Sequence, residues 1–150
     1  MADMTDSKFG GWYDAYTGFP VITMVAEGAV AKYHLVQLGT AGRQVKSYDG
    51  DGGITEPAIG VALEAAATGL EIVILPLGPV IRMLTGTNGV TRGDWVVPDT
   101  TADEEGYVMT DDGTMGTNKS ATIGLALEAG DAKGELVPVM MCGNGIFGVN

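Results

Sequence analysis

The stretch AIGVALEAAATGLEIVILPLG, residues 58–78, decides the fold, because its Ala and Leu content favours a helix while its glycines oppose one. Gly60 and Gly69 leave eight residues between them, too few for a stable isolated helix. A related stretch, TIGLALEAGDAKGELVPVMMCG, returns at residues 122–143, cut again by Gly130 and Gly134 and with Pro138 inside its apolar run. Strand, loop and strand accommodate these interruptions, whereas a helix tolerates them badly.

The alignment of the two copies supports strands. Ile59, Gly60, Ala62, Leu63 and Glu64 recur as Ile123, Gly124, Ala126, Leu127 and Glu128, an offset of 64. Past the loop the offset is 65, with Gly69 and Gly78 answered by Gly134 and Gly143. One extra residue costs little in a hairpin loop, but within a helix it rotates every later side chain by about 100°. Each copy is therefore expected to form a β-hairpin. Its first strand has a small-residue face, and its returning strand (residues 70–75 or 136–141) is rich in branched apolar side chains.

Working outward, short strand candidates bounded by turn residues fall at 21–26, 30–38, 45–48, 59–65, 70–75, 80–84, 95–98, 107–110, 123–129 and 136–141. This spacing predicts an all-β fold, a compact β-barrel or sandwich with two related hairpin halves and an N-terminal arm. A looser match extends the repeat upstream, pairing Gly28, Val30 and Asp49 with Gly78, Val80 and Asp99 at an offset of 50. The expected organisation is an arm at residues 1–20, a β domain with an internal pseudo-repeat at 21–143 and a C-terminal tail at 144–150.

The arm holds Phe9, Trp12, Tyr13, Tyr16 and Phe19, half of the ten aromatic residues in the chain, with no clean period of 2 or 3.6. It either folds over its own core or lies on a neighbouring subunit or partner. The second reading is preferred, because Trp and Tyr concentrate at interface anchors.

With 150 residues the chain can bury about 70% of its unfolded surface as one domain. Its 24 glycines cluster in turn signals such as GDGG and GTNG, without a collagen period. A net charge of −11 with only eight Lys and Arg argues against nucleic acid. The acidity reads first as solubility, and second as attraction to a basic face of a protein partner. The longest apolar run, IVILPLGPVI, is about half a membrane span, so no membrane association is expected. MADMTDSKFGG has neither the basic start nor the apolar core of a signal peptide, and synthesis in the cytoplasm is expected.

The search for chemistry mostly eliminates candidates. His34, the single histidine, sits in the strand-like run KYHLVQL and reads as a partly buried structural residue. One His and one Cys, Cys142, cannot build a zinc site within one chain. DGDGG at 49–53 followed by Glu56 lacks the acidic positions and spacing of a calcium loop and reads as a turn. GNGIFG at 143–148 matches G-x-G-x-x-G, yet only two residues follow, so no phosphate-binding helix can come next. NKS at 118–120 is a sequon without a secretory route. Glu104–Glu105 and Asp111–Asp112 are adjacent carboxylates that point apart on a strand, and they read as solvated loop charges. A biotinyl or lipoyl carrier domain would need a lysine at a hairpin tip with flanking methionines, which Lys133 lacks. No enzyme activity, cofactor or metal is expected.

The hairpins in order carry a resemblance. IGVALEAAATGLEIVILPLG, then VTRGDWVVPD, then ATIGLALEAGDAKGELVPVMM resembles a family of capsid decoration (cement) proteins of tailed bacteriophages, many of whose members have no assigned function. The carriers are residues 59–64, 70–75, 93–97 and 123–141, and the likeness spans about residues 28–142. The resemblance implies a β-rich structural virion protein, made in the host cytoplasm and bound to the outer surface of the head. It also implies the major capsid protein as partner, capsid stabilisation and a homo-oligomer, often a trimer. The rival from another class is a host-surface or glycan-binding display module on the virion, since aromatics such as Trp12 also stack on sugars.

Overall fold

Both repeated stretches form antiparallel hairpins in the computed structural model, which describes residues 21–49, 58–76, 80–99, 101, 103–111 and 122–141. Strand β4 (Ala58–Ala62) pairs with β5 (Glu71–Pro76), and β9 (Gly124–Ala126) pairs with β10 (Leu136–Met141). Their registers agree: Ala62 faces Ile74, and Ala126 faces Val139. The repeated I-G pair has a packing reason. A Cβ on Gly60 would overlap the Leu75 carbonyl oxygen and lie 2.7 Å from Ile74 Cγ2, and a Cβ on Gly124 would overlap the Met140 carbonyl oxygen. The second repeated glycine shapes the loop. Gly69 and Gly134 have φ of 82° and 85°, open to glycine at little cost. Their amides donate to the Ala26 and Thr85 carbonyls at 2.7 and 2.8 Å.

The other strands are β1 (Ile22–Ala26), β2 (Leu35–Leu38), β3 (Gln44–Ser47), β6 (Val80–Leu84), β7 (Trp95–Pro98) and β8 (Val108–Thr110). The first five close into a barrel in the order β1-β3-β2-β4-β5, with β1 parallel to β3 and antiparallel to β5. The last five form a sheet in the order β6-β10-β9-β7-β8. Read around the ring, this is the same sequence of neighbours, with β6 in the place of β1 and β10 in the place of β5. The edges of this second sheet meet at a parallel bridge between Thr85 and Val108, where the barrel pairs Ala26 with Val45. Bridges Val30–Ala66 and Val90–Gly130 also correspond.

The repeat therefore spans five strands in each half. Its offset starts at 59 (Ala26 to Thr85) and rises to 65 at the closing hairpin, because the intervening turns differ in length. This replaces the offset of 50 read from sequence. The counterpart of Val30 is Val90, whereas Val80 opens β6, so the upstream match joins residues that are not equivalent. The strand expected at 30–38 is also shorter. Tyr33 has φ of 68°, a turn conformation that ends the extended backbone, and only Leu35–Leu38 is strand. Pro138 lies inside β10, opposite Arg82, and its carbonyl accepts the Leu127 N–H at 3.0 Å.

Period-2 alternation divides the apolar side chains between two compartments. Ala26, Val36, Val45, Ala62, Ile72 and Ile74 fill the first barrel. Their counterparts Val96, Val108, Ala126, Val137 and Val139 pack inside the second sheet with Met83. Thr85 stands where Ala26 does, and its buried hydroxyl donates to the Ala132 carbonyl at 2.6 Å. The alternate residues Leu35, Val61 and Leu75 form a row across β2, β4 and β5. That row points out of the barrel and is buried in one cluster with Ile81 and Ile123 of the second half. Backbone bonds join the halves at the same place: Leu35 donates to the Gly106 carbonyl at 2.8 Å, and Gly106 donates to the Tyr48 carbonyl at 2.7 Å.

Candidate functional site

His34 lies just before β2, half-buried, with Nδ1 3.0 Å from Ser47 Oγ and its ring centroid 5.1 Å from that of Tyr107. Burial pushes its pKa below the usual histidine value. Gly106 packs against the imidazole so closely that a Cβ there would lie 2.6 Å from Cγ. The ring is half-buried against Gly106 and Tyr107 of the second half, and no carboxylate is hydrogen-bonded to it among the described residues. It is partly buried, as the sequence suggests, and stands just before the strand rather than in it.

Glu104 departs from expectation. It is only 3% exposed, so it is no solvated loop charge, while its neighbour Glu105 is exposed. The adjacent residues do point apart, but the β7–β8 turn folds one of them inward. Glu104 accepts the Thr87 amide at 2.6 Å and the Thr87 hydroxyl, and Lys133 Nζ stands 3.2 Å away. Asp99, 1% exposed, accepts the Thr101 amide at 2.8 Å. Burial pushes both carboxyls up. For Asp99 burial prevails, aided by the neighbouring Glu104. For Glu104 the Thr87 hydroxyl and amide, the Asp99 carboxyl and Lys133 outweigh burial and hold it at about 2. The two neighbouring carboxyls are thus shifted in opposite directions, Asp99 upward and Glu104 downward. A Cβ on Gly86 would overlap oxygens of both carboxyl groups, so that glycine makes room for the pair.

In the first half Glu27, which follows β1, accepts the Thr40 amide at 2.8 Å and hydroxyl at 2.7 Å. Donor and acceptor have exchanged sides between the halves, while the link from the end of the first strand to the turn between the second and third is kept. The Asp99–Glu104 pair is thus closed to solvent, and Glu104 ties the β7–β8 turn to the end of β6 through Thr87. Lys133 is engaged with Glu104 and lies 5.0 Å over the Tyr107 ring. It is not presented as a carrier lysine would be.

The surface offers apolar side chains instead. Val21, Ile22, Leu38, Leu70, Trp95 and Met140 are the large hydrophobic residues left exposed among those described. Two of them line up. Trp95 faces Leu125 across β7 and β9, and Leu125 faces Met140 across β9 and β10, so the three form a continuous row. Sequence reading placed Trp95 in a strand but gave it no role. Alternation against the buried Val96 was the available signal that the indole faces outward.

The arm residues Phe9, Trp12, Tyr13, Tyr16 and Phe19 lie outside the described residues, as do NKS at 118–120, GNGIFG at 143–148 and all of the 49–56 turn except Asp49. Among the described residues no group of three or more His, Cys, Asp or Glu side chains is arranged to hold a metal ion.

The sequence pattern of the phage cement protein family matches residues 17–141, reaching upstream of the motifs at residues 28–142 that carry the resemblance. No curated protein matches the chain. Among solved structures, the head fiber gp8.5 N base of bacteriophage phi29 is similar in fold, with a TM-score of 0.53 at 18% identity. That likeness covers 84% of this chain and 95% of the phi29 chain. A family match over most of the length, on a doubled five-stranded β architecture, leads to one assignment: the chain belongs to the phage cement protein family.

Proposed function

We propose that this phage structural virion protein binds the outer surface of an assembled head and stabilises the capsid, with the major capsid protein as partner. The observation that carries the reading is the cement-family match over residues 17–141. Two features fit it: a body stitched together by a shared core, and exposed apolar side chains beside an acidic surface. The proposed form is a homo-oligomer, a trimer at threefold positions of the shell. Each contact is weak alone, and the second and third gain from effective concentration. A clamp that prefers the mature shell stabilises it by mass action. The −11 charge suits a basic capsid face and speeds encounter.

Within this reading the N-terminal arm is an anchor, with Phe9, Trp12, Tyr13, Tyr16 and Phe19 supplying contact area at low rotamer cost. Heads lacking the protein are titrated with it, and their dissociation under heat or denaturant is followed. Saturable protection is expected, and deletion of residues 1–19 should weaken it by at least about tenfold with the β domain still folded. Unprotected heads, together with specific binding to host cells, would replace the clamp with the display module. A truncated chain that fails to fold would return the arm to its own core.

A further inference from the structure

The two halves of this chain are the same five-strand unit, yet they are not used alike. In the first half the outward row Leu35–Val61–Leu75 is buried, with Ile81 and Ile123 of the second half in the same cluster. The row at the equivalent position of the second half is Trp95–Leu125–Met140. The equivalence is residue by residue. Leu35 pairs with Val61 as Trp95 pairs with Leu125, and Val61 pairs with Leu75 as Leu125 pairs with Met140. The Leu35 carbonyl accepts the Tyr48 amide as the Trp95 carbonyl accepts the Asp111 amide. Leu35 and Leu75 are 0% and 3% exposed, while Trp95 and Met140 remain 46% and 39% exposed.

The covering side has counterparts too. Ile81, the second residue of β6, corresponds to Ile22 of β1, and Ile123 corresponds to Ile59. Ile22 is 40% exposed, and Val21 beside it is 47% exposed. Of the six exposed large hydrophobic residues among those described, four thus lie on two surfaces that match the two sides of the internal interface. Gly106, whose backbone bonds bridge the halves, corresponds to Arg43 in the β2–β3 turn, and both have positive φ, 83° and 63°.

We propose that the row Trp95–Leu125–Met140 is the docking site for a second copy of this chain, which presents Ile22 with Val21 and its Arg43 turn. The contact repeats between molecules the packing that already joins the halves within one. The inference rests on the self-association in the proposed function and names the surfaces that produce it. The surfaces differ, so the interface is head-to-tail, and such contacts close into a ring when the rotation at each step divides the full circle, as the proposed trimer requires. Docked in this way, Arg43 would approach the chain segments bearing Asp94 and Asp111, which flank Trp95 in sequence and by a backbone bond, and opposite charge would set the register.

The test is sedimentation equilibrium of the full-length protein from about 1 μM to about 500 μM, with Trp95→Lys, Ile22→Lys and Arg43→Glu beside the parent. All three positions are exposed or in an exposed turn, and thermal melts confirm folding. The parent should assemble, and Trp95→Lys and Ile22→Lys should each raise the concentration for assembly by at least about tenfold. Arg43→Glu should do so more weakly, with an effect that fades in high salt. In a Cys142→Ser background, with Ile22→Cys on one copy and Met140→Cys on another, oxidation should give an intermolecular disulfide between positions 22 and 140 only in the mixture of the two. A parent that stays monomeric throughout overturns the proposal, and the head-protection assay then judges head binding separately. An oligomer indifferent to both lysine substitutions overturns the docking site while leaving self-association in place.

Discussion

Gly60→Ala should lower the unfolding free energy by about 3 kcal/mol, roughly a 10 °C drop in melting temperature. The added methyl would overlap the Leu75 carbonyl oxygen, an atom of the neighbouring strand's backbone that cannot swing aside as a side-chain tip can. Relief requires β4 to lift from β5, and β5 also carries the pairing that closes the barrel onto β1. Gly124→Ala should behave alike, since the Met140 carbonyl oxygen stands in the same place. Gly69→Ala and Gly134→Ala are the controls. Their φ is positive but nothing lies within 4 Å of a Cβ, so the expected cost is about 1 kcal/mol. Urea unfolding of the four variants checks the order. Equal losses at Gly60 and Gly69 would show that the close strand approach does not set the cost at Gly60.

Glu104→Ala should cost about 3 kcal/mol at neutral pH, because it strands the Thr87 amide and hydroxyl and the buried Asp99 carboxyl. The pH dependence has a definite sign. Glu104 titrates at about 2 in the folded chain against an ordinary 4.5. Its contribution is complete above pH 4.5 and is lost as pH falls from there toward 2. Asp99 is shifted up from 3.8, so its contribution has the opposite sense. It is complete below pH 3.8 and is lost as pH rises through the elevated folded value. Two substitutions separate them. Glu104→Gln should lose stability at neutral pH and flatten the acid limb relative to the parent. Asp99→Asn keeps an acceptor for the Thr101 amide and removes a carboxyl whose ionisation burial and Glu104 disfavour, so it should match or exceed the parent at pH 7. Urea midpoints across about pH 2.5 to 8 provide the measurement. A destabilised Asp99→Asn with an unaffected Glu104→Gln would show that the two shifts run the other way.

The all-β fold was legible in the sequence because the closing hairpin of each half is its most constrained part. Both Gly60 and Gly124 meet a backbone oxygen, and both Gly69 and Gly134 need positive φ, so the same residues recur at nearly constant spacing. Elsewhere the halves keep backbone geometry and change side chains. Tyr33 holds at φ 68° the turn that Gly93 holds at 85°, and Arg43 stands for Gly106. Glu27 and Thr40 exchange roles with Thr87 and Glu104. Identity matching cannot follow such changes, and it settled on an offset of 50 where hydrogen bonding gives 59 to 65. Glu104 was misread because a charged residue in DEEG looks like loop polarity until Thr87, 17 residues earlier, is folded against it. Trp95 was placed in a strand but left without a role, since its exposure gains meaning only beside the buried Leu35.

The order of strands along the chain also sets an order of events in time. Every strand of the first barrel is made before residue 77, so β1 can close against β5 while the second half is still being synthesised. The Leu35–Val61–Leu75 row then waits for Ile81 and, later, Ile123. At about 5–20 residues per second that wait lasts roughly several seconds. During it the nascent chain carries a finished barrel with an apolar flank open to water and to neighbouring ribosomes' products. Slow translation between residues 77 and 123 would lengthen the interval in which half-made chains adhere to one another, whereas fast translation through that segment would favour monomers that complete their own packing first.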